Sequence, residues 1–75
     1  MDRFDTEIDR VAERYEEAAV ELELAAEHAR VAAHHMRERE LARGPAHGFS
    51  VHGHLRKARD VLDDLARLHA DRSEP

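Results

Sequence analysis

Phe4, Ile8, Val11, Tyr15, Ala18, Leu22, Ala25, Ala29, Ala32 and Met36 follow one another in alternating steps of four and three. That spacing lines them along one side of an α-helix, because 3.6 residues make a turn. No glycine or proline interrupts the run before Gly44-Pro45, so the pattern predicts one helix over about residues 3–43. At 1.5 Å per residue it reaches about 60 Å. Asp2 and Thr6 are candidate caps, with Asp5 and Asp9 three residues on in the manner of a capping box. Acidic residues crowd the first turns, which suits the positive end of the helix dipole.

A loop is expected over about residues 44–49, after which Ser50 is a plausible cap for a second helix over about 50–71. Val51, Leu55, Ala58, Leu62, Leu65 and His69 keep the four-three spacing there, and Val61 and Leu68 widen the face. Gly53 falls in the expected first turn and weakens it by about 0.5–1 kcal/mol relative to alanine. Residues 1–75 thus read as a single all-α domain, an antiparallel hairpin of one long and one short helix.

The unequal lengths carry the main expectation. A second helix of roughly twenty residues covers the first only from about Leu22 to Leu41, leaving Phe4, Ile8, Val11 and Tyr15 beyond it. Burying each such side chain is worth roughly 1.5–3 kcal/mol, so a second chain is the simplest cover. The expected interface comprises Phe4, Ile8, Val11, Tyr15, Ala18, Leu22, Ala25 and Ala29, in a dimeric four-helix bundle. Ala12, Ala19, Ala26 and Ala33 recur every seven positions beside the stripe, and alanines at a seam let two backbones approach closely. Val20, Leu24 and Val31 form a minor apolar strip on the opposite side.

Charge sets the orientation. Residues 1–27 hold ten acids and three arginines, whereas residues 28–59 hold two acids, seven basic residues and six of the seven histidines. An antiparallel homodimer lays the acidic end of one chain along the basic end of its partner; a parallel one sets like charges together.

Composition bounds the remaining possibilities. A 75-residue chain without cysteine builds only a small core, has no disulfide to staple it, and leans on a metal or a partner. The start, Met1-Asp2-Arg3-Phe4-Asp5, lacks the basic and apolar features of a secretion signal, and no stretch is apolar enough to span a membrane. A cytoplasmic protein is the expectation.

Seven histidines are the one unusual chemical feature. Chelation by a single helix needs ligands three or four apart, and no two histidines satisfy that; His28 and His35 share a face but stand two turns apart. His34, His35, His47, His52 and His54 all fall near the loop end of the hairpin. There they are the candidate ligands for zinc, nickel or copper, with Glu38 or Glu40 as an oxygen donor. No glycine-rich phosphate loop or nucleophile elbow is present, and Ser50 and Ser73 have no base and orienting acid beside them. The chain is therefore read as a non-enzyme. Arg37, Arg39, Arg43, Arg56, Lys57 and Arg59 offer a basic end to nucleic acid, against which stand the net charge of −5 and the lack of a recognition helix. The leading expectation is a small homo-oligomeric interaction or regulatory module. A transition-metal or small-ligand module at the histidine-rich end comes second, and weak nucleic-acid binding third.

Overall fold

A computed structural model describes the backbone of residues 3–73 and the side chains of residues 5–71. Its two helices are α1, Arg3–Arg37, and α2, Arg43–Ser73; they pack against each other as an antiparallel hairpin, and no strand occurs among the described residues. The fold class is all-α as expected, but the helices are 35 and 31 residues long, nearly matched.

The connection lies at residues 38–42, ahead of the expected loop, because the chain stops α1 by a different device. Arg39 takes a left-handed backbone with φ 63°, its amide donates to the Met36 carbonyl at 3.0 Å, and the Glu40 amide donates to the His35 carbonyl at 2.8 Å. These two bonds make a Schellman cap, which satisfies carbonyls that the helix end leaves open. Glu40 accepts from His35 Nδ1 at 2.9 Å and pairs with Arg43 at 3.3 Å, so the turn is tied on both sides. Gly44 and Pro45 then fall in the first turn of α2. Proline costs nothing there, since its missing N–H would have had no intrahelical partner. Gly44 is buried against Met36: a Cβ on it would stand 2.5 Å from Met36 Sδ, so that side chain would have to move to admit one. Ser50 and Gly53 lie inside α2, and Thr6 inside α1, so none of them caps or starts a helix.

Equal helices change what covers the stripe. Positions seven apart stack as columns, and the stripe divides into two. Val11, Ala18, Ala25 and Ala32 face α2, where Gly44, Val51, Ala58 and Leu65 meet them; Ala18, Ala25, Ala58 and Leu65 are the buried apolar residues. Small side chains dominate this seam, which lets the backbones approach closely. The second column, Ile8, Tyr15, Leu22, Ala29 and Met36, remains exposed. Leu24 and Val31 of the minor strip are half-buried on the other flank of α1, whereas Val20 is exposed.

The expected overhang therefore shrinks. Arg14 reaches Asp64 at 3.1 Å, Tyr15 meets His69, and Val11 is half-buried, so α2 accompanies α1 past Tyr15. Ala18 and Ala25, expected between copies, are buried within the hairpin itself. The Phe4 side chain lies outside the described residues. The hairpin measures 55 × 26 × 12 Å, with a radius of gyration of 17.2 Å. A compact domain of this length would have a radius of about 11 Å. The smallest extent is the thickness of one helix, so the molecule is a single layer.

Candidate functional site

Two features of the hairpin are built by both helices together: a column of histidines along one flank of the seam and an apolar face along the other.

The histidine column follows from register. Glu21, His28 and His35 are spaced by seven on α1, and His47 and His54 by seven on α2. Seven residues advance a helix by about 10.5 Å, too far for neighbouring imidazoles to touch. The antiparallel partner fills each gap, giving an interleaved spacing of about 5 Å. Ring centroids are indeed 5.3 Å apart for His54–His28, 5.6 Å for His28–His47 and 5.2 Å for His47–His35, with interplanar angles of 14°, 29° and 19°. A carboxylate closes each end. His54 Nδ1–H donates to Glu21 Oε2 at 2.6 Å, and His35 Nδ1–H donates to Glu40 Oε2 at 2.9 Å. In the centre the Nδ1 atoms of His28 and His47 are 3.3 Å apart. One ring donates its Nδ1–H to the lone pair of the other, so at least one of the two is neutral.

The sequence-based ligand set is only partly brought together. His35, His47 and His54 join the column, each half-buried; His34 is exposed and touches only its end, its ring 5.7 Å from that of His35 and tilted by 59°, and His52 is exposed and lies off it. Their positions on the helices explain the split, since His34 is one residue from His35 and His52 two from His54, which turns them away from α2. His28 was absent from that set and is central. Glu40 takes part, whereas Glu38 is exposed in the turn and not in the column. Among the described residues no three histidine, aspartate or glutamate side chains converge to hold an ion, so the five-histidine site is not formed.

The apolar face lies on the opposite flank. Ile8, Tyr15, Leu22 and Met36 of α1 are 42–48% exposed, and Leu55 and Leu62 of α2 are 42% and 39% exposed. Tyr15 and His69 join the two columns across the seam: their rings stack at 6.5 Å, and the Tyr15 hydroxyl and His69 Nε2 share a hydrogen bond of 3.2 Å. Beside this face α1 presents Ala12, Ala19 and Ala26, all exposed, and Ala33, half-buried. Helix α1 therefore has one apolar side toward α2 and a second, about a quarter-turn away, toward solvent. A helix with two such sides is suited to contact two neighbours, as in a four-helix bundle.

At the open end Glu7, Arg10, Val11, Arg14, Asp64, Leu65 and Leu68 line a shallow groove of about 340 Å³. Arg14 binds Glu17 at 2.7 Å and Asp64 at 3.1 Å along it. Arg37, Arg39 and Arg43 are exposed at the closed end, whereas Arg56, Lys57 and Arg59 are exposed near the middle of α2, so the expected basic end is only partly brought together. Among the described residues no helix is long and apolar enough to cross a membrane. No family model matches the chain, and neither curated proteins nor solved structures gave a match.

Proposed function

We propose that this protein is a non-enzymatic, self-associating helical module in which two hairpins join antiparallel through their apolar faces as a four-helix bundle. Ile8, Tyr15, Leu22, Met36, Leu55 and Leu62 form the contact, with the outer alanines of α1 allowing the two first helices to approach. The observation that carries this reading is the single-layer shape with one uncovered apolar side. Stable domains stack at least two layers around a core, and this chain supplies one.

Area supports it. The hairpin exposes 6043 Å². A compact monomer of its mass exposes about 4,700 Å². The excess is larger than the roughly 800 Å² that each partner buries in a standard interface. A second copy is the occupant that the charge favours. Divided at the helix midpoints, residues 1–19 and 58–75, toward the open end, carry twelve acids and six basic residues, whereas residues 20–57, toward the closed end, carry five acids and six basic residues. Laying one hairpin head-to-tail on another keeps the two acidic ends apart and sets each beside a closed end of slightly positive charge, and the two-fold axis makes the contact self-complementary.

Light scattering and sedimentation equilibrium test this, with salt as the discriminator. A dimer that weakens between about 0.05 and 0.5 M sodium chloride is expected, because opposite charges across the interface are screened. A dimer that tightens with salt would indicate parallel packing, and a monomer at all concentrations would refute the assembly.

A further inference from the structure

The solvent side of α1 carries one more column, and its charge changes sign along the helix. Asp9, Glu16, Glu23, Arg30 and Arg37 recur every seven residues, each one position on from a member of the apolar column that runs from Ile8 to Met36. All five are exposed, and among the described residues none of them makes an ion pair within the hairpin. We propose that this column selects the direction and register of a second copy, with the two-fold axis passing beside Leu22 and Glu23. The inference rests on the head-to-tail dimer proposed above and adds to it which residues meet.

Charge is the first argument. The outer alanines of α1 fall between the apolar and the charged columns, so a helix seated on them meets apolar residues along one edge and charges along the other. About an axis at Leu22 and Glu23, Asp9 meets Arg37 of the partner and Glu16 meets its Arg30, and the symmetry makes each pair twice. Only Glu23 faces its own charge, at a solvent edge where the cost is small. A parallel copy would set all five residues against like charges.

Apolar cover fixes the register. The same axis sets Ile8 beside Met36 of the partner and Leu22 beside its own copy. Sliding the copy by seven residues would also match charges, Glu16 with Arg37 and Glu23 with Arg30, but would leave Ile8 past the end of the partner's α1. Ile8 is 48% exposed, and both copies would lose its cover, so burial favours the longer overlap. One axis also serves both helices. His54 lies between Glu21 and His28, bonded to the first at 2.6 Å and stacked on the second at 5.3 Å, so Leu55 is level with the Leu22 turn. The axis that sets Leu22 against its copy therefore sets Leu55 against its own, and Leu62 against Gly48 of the partner. Arg56 then lies beside its own copy, so the selection by charge comes from α1.

The chain has no cysteine, so a single introduced thiol reports how close a position lies to its own copy. Under oxidised glutathione, Glu23→Cys should link two chains covalently, while Glu16→Cys and Ala26→Cys should not. By sedimentation equilibrium, Glu16→Arg and Arg30→Glu should each weaken the dimer about tenfold, and the two together should restore it to within about threefold of wild type. Glu23→Gln should tighten it. A link through Ala26→Cys in place of Glu23→Cys overturns the register, and links at all three positions would mark parallel copies. Losses that add in the double variant overturn the charge pairing. A dimeric wild type with no link at Glu23→Cys overturns the register alone, whereas a monomeric wild type overturns the assembly with it.

Discussion

Replacing Leu22 by aspartate should separate the hairpins while leaving each one folded. Leu22 is 44% exposed and lies midway along the apolar face, outside the column that packs on α2. Full burial of a leucine is worth about 1.5–3 kcal/mol, so covering the part still in water is worth about 0.7–1.3 kcal/mol per copy. A two-fold interface uses the residue twice, which doubles the term to about 1.3–2.6 kcal/mol. At 1.4 kcal/mol per factor of ten, loss of this burial alone weakens the dimer roughly 10- to 70-fold. The carboxylate adds its own desolvation cost, so the expected weakening exceeds about 100-fold. Sedimentation equilibrium measures the dissociation constant, and circular dichroism follows helix content. Val20→Asp is the control: Val20 is 52% exposed on the far side of α1, so it adds the same carboxylate to the helix away from the face, with a smaller loss of helix propensity because valine and aspartate rank together. Equal effects of the two substitutions on association would refute the assignment of the face.

Other substitutions probe the hairpin itself. Ala25, 4% exposed at the seam, leaves no room for a larger side chain, so Ala25→Leu should cost about 1–3 kcal/mol by urea unfolding. Gly53→Ala should stabilise by about 0.5–1 kcal/mol, because the position is inside α2 and an added Cβ would meet nothing within 4 Å. Thermal melting should show it as a rise of a few degrees. Arg39→Gly should also stabilise, by about 0.5–1 kcal/mol, since glycine adopts the left-handed cap conformation without the Cβ penalty that arginine carries.

The helical hairpin was legible because strictly phased apolar residues permit little else, and the lack of internal glycine or proline made α1 one element. Where it ended was not. Gly44-Pro45 reads as a stop, and Arg39 offers no sign that it will turn left-handed; proline suits a first turn as well as a boundary, so the dipeptide fits either reading. That misplacement shortened α2 in expectation and produced an overhang of four side chains. The uncovered surface is instead a full-length face, because a four-three stripe contains two columns and a single neighbouring helix covers one. The role of His28 was hidden for a related reason. Its signal was the recurrence of Glu21, His28 and His35 beside His47 and His54, and a two-turn gap within one helix closes only when the opposing helix is set in register.

That register gives the histidine column a consequence for the length of the turn. Interleaving works like a vernier: each inner imidazole sits between two on the other rod, and the offset is fixed by the five residues that join the rods. One residue added or removed there swings α2 by about 100° and slides it by about 1.5 Å. Glu21 and Glu40 would lose their imidazoles in the same step. Chain length between Arg37 and Arg43 is thereby coupled to a row of contacts extending several turns away.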